Sequence, residues 1–96
     1  MSDETITCRP DGDRYVAEID GQVVGWIVTD QVDDRIRFLS TVTDPAFPGR
    51  GVAGRLTAFG LADVRARGLR VTPVCSYTKA YLASHPEAAD PGTDDR

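Results

Sequence analysis

The sequence predicts a minimal α/β (α+β) domain, in which a mixed, mainly antiparallel sheet of about five strands carries one long helix and a short C-terminal helix. Three observations predict it. Up to Thr43 the chain alternates apolar and polar side chains and breaks at turn dipeptides. After Pro48 the apolar positions recur at helical spacing, and beyond that helix comes a short β-branched run that meets a proline.

Thr5 to Arg9 and Arg14 to Asp20 read as strands separated by the turn chemistry of Asp11-Gly12-Asp13. The second alternates Tyr15, Ala17 and Ile19 against Arg14, Val16 and Glu18. Asp20-Gly21 then gives the strongest hairpin signal in the chain, because both central positions of that turn need φ > 0. Val23 to Val28 forms the third strand, with Trp26 read as core, and Asp30 to Asp34 makes a polar turn. Arg35 to Thr43 returns as a fourth strand with Ile36 and Phe38 apolar, completing an antiparallel meander.

From Val52 to Arg67 a helix is predicted by Ala53, Leu56, Gly60 and Val64, with Leu61 broadening the face. Arg65 and Arg67 in its last turn and Gly68 as the stop agree with that end. Gly60 costs about 1 kcal/mol relative to alanine inside a helix, so it marks a place of close approach to the sheet. Leu69 to Val74 is a short strand in which Pro73, lacking a donor, should open the pairing. Thr78 to Ser84 forms the short second helix. The domain is expected over residues 1–87, with 88–96 as a disordered acidic tail.

Composition narrows the function classes. Ninety-six residues, 27% charged and 41% hydrophobic, suit one compact domain. Cys8 and Cys75 lie far apart and form no dense disulfide framework, so they are read as thiols in a reducing compartment. The polar start Met1-Ser2-Asp3-Glu4-Thr5 leads into no apolar leader, and the apolar stretch Val23 to Val28 is far short of the roughly 20 residues that span a membrane. A cytoplasmic protein with no membrane partner is expected. A net charge of −4 argues against nucleic acid as the main partner. The distribution is more informative: in residues 50–79, Arg50, Arg55, Arg65, Arg67, Arg70 and Lys79 stand against Asp63 alone, so an anionic ligand has one preferred region.

The loop Phe47-Pro48-Gly49-Arg50-Gly51-Val52-Ala53-Gly54 enters the long helix inside that region. Its glycines let backbone approach a ligand, and the free N–H groups of a first helical turn favour an anion. Read alone, the same loop serves equally as a flexible turn. It lacks the Gly-Lys-Ser/Thr ending of a Walker loop and the preceding parallel βαβ unit of a dinucleotide site. One histidine and two distant cysteines give no metal-ligand spacing, so no metal is expected. Cys75 is either a buried small hydrophobe or a reactive thiol beside a helix N-terminus. His85, followed by Pro86, reads first as a helix end.

Gly49-Arg50-Gly51-Val52-Ala53-Gly54, then Pro73-Val74-Cys75-Ser76-Tyr77, then Tyr81 and His85-Pro86-Glu87, resembles the GNAT superfamily of acyl-CoA-dependent N-acetyltransferases. Within it the chain looks like a short stand-alone branch with a Gly-x-Gly-Ile/Val-Ala/Gly loop, a Pro-x-Cys strand end and a Tyr-x3-His/Asn-Pro close. The resemblance covers roughly residues 38–87. It implies that the loop Gly49, Arg50, Gly51, Val52, Ala53, Gly54 cradles the pyrophosphate of coenzyme A, with Arg55 as a further phosphate contact. It also implies that backbone groups of Thr41, Val42 and Thr43 face the pantetheine arm in a gap between splayed strands. Cys75 is implied as nucleophile or general acid, and Tyr81 as the phenol that protonates the departing thiolate. Two departures stand out: Pro48 replaces the usual Arg or Gln, and Ser40-Thr41-Val42-Thr43 replaces His-Thr-Glu-Val, so an acid/base pair is missing.

The function implied is acetyl transfer from acetyl-CoA to an unidentified amine, of a small molecule or a protein. The alternative is a non-catalytic acyl-CoA-binding or sensing module. A small interaction domain docking an acidic partner is disfavoured by the paired loop and Pro-Val-Cys motifs. The family's substrate-selecting helices after the first strand are replaced by the turn at Asp11-Gly12-Asp13. That implies an open site, or one completed by a partner or by a second copy in a homodimer.

Overall fold

The computed structural model describes residues 6–46 and 51–86. They form β1 (Thr7–Asp11), β2 (Arg14–Ile19), β3 (Gln22–Val32), β4 (Arg35–Thr43), α1 (Val52–Ala66), β5 (Arg70–Pro73) and α2 (Ser76–Ser84). Sheet order follows chain order: β1 to β4 pair antiparallel, and β5 joins β4 in parallel after the α1 crossover. This is the mixed five-stranded sheet with two helices that the sequence predicted. Gly49, Arg50 and the expected tail 88–96 lie outside the described residues. No described helix is long and apolar enough to cross a membrane.

Three elements differ from expectation by two residues or more, the first being β1, which extends to Asp11 instead of ending at Arg9. β3 continues past Val28 to Val32, so the turn tightens to Asp33-Asp34 with Asp33 at φ 56°. Asp30 stays in the strand because Arg37 on β4 holds both its carboxylate oxygens, and Thr29 stays because its N–H and its hydroxyl both donate to the Asp13 carbonyl. Cross-strand partners here outweigh the turn preference of aspartate. α2 begins at Ser76 rather than Thr78, because Cys75 occupies the N-cap.

α1 crosses one face of the sheet and buries Val52, Leu56, Thr57, Gly60, Leu61 and Val64 against Tyr15, Ala17, Ile27, Ile36 and Phe38. Gly60 is the point of closest approach: a Cβ there would lie 3.0 Å from Phe38 Cζ and 3.1 Å from Tyr15 Cδ2. Between β3 and β4 the register shifts so that Val28 faces Ser40 while Thr29 faces Phe38, leaving Leu39 as the extra residue of a β-bulge. Beyond the bulge the row opposite Ile27 and Gly25 is Thr41 and Thr43, so hydroxyls replace the apolar side chains of Ile36 and Phe38.

Trp26, expected in the core, lies half-buried on the other face. Its neighbours Gly25 and Ile27 point toward α1, and the Arg14 guanidinium stands 5.7 Å from its ring centroid. Val16, read on the polar side of the alternation, is also fully buried there, opposite Trp26 and close to the Arg9–Glu18 ion pair. Long arginine stems and their carboxylate partners close this face in place of a second layer of helices.

Candidate functional site

The site is built by the way β5 stops. β4 and β5 pair only from Arg35↔Arg70 to Phe38↔Pro73. Past Pro73 the N–H groups of Val74 and Cys75 both donate to the Phe38 carbonyl, at 3.0 and 2.8 Å, and the chain turns into α2. The remaining half of β4, Leu39 to Thr43, therefore runs on without a parallel neighbour and borders a gap. The pairing stops at Pro73 as expected, but not for want of its donor. Arg70 and Val74 donate to Asp34 and Phe38, so alternate residues of β5 face β4 and the Pro73 nitrogen faces the open edge. The ladder ends because the Cys75 N–H shares the Phe38 carbonyl as the chain turns into α2.

Cys75 sits at the head of that gap. Its own N–H is held by Phe38, its carbonyl accepts the first bond of α2 from Lys79 N–H at 3.1 Å, and its Sγ lies 3.4 Å from Thr41 Oγ1. Partial burial alone pushes the thiol up. The Thr41 hydroxyl, the backbone amides of Thr78 and Tyr77 and the Thr78 hydroxyl outweigh this and hold it below the ordinary thiol value. The amides belong to the first turn of α2, where N–H groups have no helical acceptor, although no cap hydrogen bond of ordinary geometry closes on the sulfur. Cys8, by contrast, is pushed up by burial, with only Arg55 nearby to oppose it.

The second part of the site is the start of α1. Gly51 is the N-cap in the left-handed region, at φ 70° and ψ 25°, and its carbonyl accepts the Arg55 N–H at 2.9 Å. The N-cap offers no side-chain cap and no acidic residue stands in the first turn, so among the described residues no side chain caps the amides at Val52, Ala53 and Gly54. Val52 is buried against Gly25 and offers only its backbone; the Ala53 carbonyl is taken by the Thr57 hydroxyl; Arg55 is exposed. The Tyr77 hydroxyl lies 3.5 Å from where a Gly54 Cβ would stand, so α2 reaches the first turn of α1 and the two parts form one continuous surface.

Of the residues singled out from sequence, Thr41 meets Cys75, Val52 and the Val42 carbonyl converge on Gly25, and Gly54 lies near Tyr77, whereas Arg55 is close enough to influence Cys8 on β1, at the opposite edge of the sheet. Tyr81 is engaged elsewhere along α2: its ring stacks on His85 at 4.1 Å, and His85 caps the helix through its N–H and Nδ1 to the Tyr81 carbonyl. Tyr77 and Thr78 were not foreseen as site residues. The signal for Thr78 was its place three residues after an N-cap, where a side chain comes back to the cap. A cleft of about 170 Å³ opens at the far end of the sheet, lined in part by Asp13, Arg14, Thr29, Asp30 and Arg67; it lies away from Cys75 and from the α1 N-terminus. Among the described residues no cluster of His, Cys, Asp or Glu is arranged to hold a metal.

The site thus brings together a thiol held below its ordinary value, a helix start with no acidic residue in its first turn and a strand edge without a parallel neighbour. Residues 14–91 match the family of GCN5-related N-acetyl-transferases, and the chain belongs to that family. Among solved structures it is similar to the ribosomal-protein-S18-alanine N-acetyltransferase of Escherichia coli, at 17% identity and a TM-score of 0.57 over 60% of this chain and 38% of that one. It is similar as well to an N-acetyltransferase of Staphylococcus aureus Mu50, at 21% identity and TM-score 0.57 over 77% and 49%. A GNAT family acetyltransferase of Brucella melitensis, solved in complex with acetyl-CoA, is 33% identical with a TM-score of 0.53 over 59% of this chain and 41% of that one. The chain thus spans less than half the length of these structures. No curated protein matches it at the sequence level.

Proposed function

We propose that this chain binds acetyl-CoA and transfers its acetyl group to an amine, as a cytoplasmic enzyme of one domain. The observation that carries the reading is the gap beside Leu39 to Thr43, with Cys75, its thiol held below the ordinary value, at its head and the start of α1 beside it. The relative solved with acetyl-CoA supports the choice of cofactor. In this reading the loop from Gly49 and Arg50 to Gly54 takes the pyrophosphate on backbone amides, and Arg55 adds a charge. The pantetheine arm lies along the open edge of β4, with backbone groups of Thr41, Val42 and Thr43 bonding it as a neighbouring strand would. An amide near Val42 faces the thioester oxygen and supports charge developing on it.

Cys75 acts by one of two routes. As nucleophile its thiolate attacks the acetyl carbonyl, the C–S bond to coenzyme A breaks with the electron pair leaving on the CoA sulfur, and the cysteine thioester then passes the acetyl group to the neutral amine. As general acid its thiol protonates the departing CoA thiolate while the amine attacks directly. Tyr81 is the second candidate for that proton, and the amine's own proton leaves through water. The second reading, a non-catalytic acyl-CoA-binding module, is favoured by one feature: the β4 segment bordering the gap, Leu39 to Thr43, carries no carboxylate and no imidazole. Titration calorimetry with acetyl-CoA tests both readings, and absence of heat at high micromolar protein removes both. Intact-mass measurement after incubation separates them further. An adduct of one acetyl group, absent in Cys75→Ala, is the expected result for the nucleophile; equal acetyl transfer or thioester hydrolysis by Cys75→Ala removes Cys75 from the chemistry.

A further inference from the structure

The hydroxyl of Thr78 is the one buried side-chain oxygen or nitrogen, among the described residues, that has no hydrogen-bond partner. The residue is completely buried, so its hydroxyl cannot turn to solvent. An orphaned buried hydroxyl lowers stability, and a fold of this size has little reason to carry one at an ordinary helix position. Its position is not ordinary. Thr78 is the third residue of α2, the place from which a side chain returns toward the N-cap, and the N-cap is Cys75. The cap itself is immobile, its N–H fixed on Phe38 and its carbonyl on Lys79, and Thr41 approaches the sulfur from β4.

We propose that Thr78 is a positioning residue for Cys75: its hydroxyl, sealed in the protein without an acceptor, takes the deprotonated sulfur as its partner. With Cys75 as a thiol the Thr78 proton has nowhere good to go; with the thiolate, a strong acceptor appears beside it. The fold carries a local debt in the protonated state that is cancelled when the proton leaves the sulfur for water. The titratable groups on the surrounding elements are Tyr77, Lys79, Tyr81 and His85 on or capping α2, Arg55 on α1, and Arg35, Arg37 and Arg70 at the far ends of β4 and β5. The largest influences on the sulfur are burial, two hydroxyls and two amides, none of them charged. The inference rests on the reading of Cys75 as the reactive thiol, but its test does not require coenzyme A.

The experiment is the rate of Cys75 carbamidomethylation by iodoacetamide as a function of pH, resolved by peptide mass so that Cys8 is scored separately. Thr78→Val should slow the reaction at pH 7 about three- to tenfold and move the midpoint of the profile upward, the fall in thiolate being partly offset by its greater nucleophilicity. Thr78→Ser should restore the parent profile. At a pH two units below the midpoint of the parent's own alkylation profile, where the sulfur is protonated, Thr78→Val should melt no lower than the parent, since the lost hydroxyl had no partner. Coincident profiles for Thr78→Val and the parent overturn the proposal, and so does a melting temperature lowered at that pH, which would reveal an ordinary structural hydrogen bond. If the profile shifts and acetyl-CoA leaves no adduct on Cys75, the nucleophile route fails and the role of Thr78 stands.

Discussion

Tyr15 and Gly60 show how single residues set the distance between helix and sheet. Tyr15 donates to Asp63 Oδ2 at 2.8 Å, with Arg67 Nη1 3.4 Å from the same oxygen, while its ring meets Phe59 edge-on. Burial, then the hydrogen bond to Asp63 and that carboxylate's charge, push the phenol far above its ordinary value. Because the folded-state value is raised, the contribution to stability is whole below about pH 10 and is lost as the pH climbs from there. In an ultraviolet titration Tyr15 should therefore ionise only together with loss of the fold, and Tyr15→Phe should flatten the alkaline decline while costing about 1 kcal/mol at pH 7. Gly60→Ala sets a gain of about 1 kcal/mol in helix propensity against a Cβ forced onto two buried rings. The rings of Phe38 and Tyr15 are held on all sides, so the clash wins: urea melts should show a net loss of about 1–3 kcal/mol.

Among the elements, the start of α1 is the most informative, because its backbone conformation and its proposed ligand can be tested together. Aspartate is among the few residues that tolerate the left-handed conformation of Gly51, and it is a favoured N-cap. Gly51→Asp should thus keep the fold, leaving the melting temperature within a few degrees of the parent, while its carboxylate opposes the pyrophosphate and weakens acetyl-CoA binding by about tenfold or more in calorimetry. The helix itself was legible from its apolar period and its glycine stop, and β4 from its alternation. Legibility failed where a partner distant in sequence decides the outcome. Asp30 looks like a turn residue until Arg37 is placed across from it, and Trp26 looks like core until the register puts Gly25 and Ile27 on the α1 side. The glycine loop and Cys75 could be found from motif spacing. Thr78 could not, because its isolation is a property of packing and leaves no trace in composition.

For the molecule as a whole, a chain of net charge −4 is proposed to bind a polyanion, which is possible only because its charges are segregated. Raising the salt from 50 to 500 mM should then weaken acetyl-CoA binding, as expected for local attraction to Arg50 and Arg55, rather than strengthen it, as screening of a net-repulsive protein would. Calorimetry across that range distinguishes the two signs. The way β5 ends carries one more consequence, in the time domain. Because a single carbonyl on Phe38 anchors the amides of Val74 and Cys75, these two protons should exchange with deuterium slowly and in step, released only by an opening that detaches the whole β5–α2 junction. The amides of Leu39 to Thr43 that point into the gap have no strand to protect them and should exchange fast until a ligand lies alongside. Deuterium uptake before and after acetyl-CoA would then trace the seat of the arm as a line of newly slowed protons along one edge of one strand.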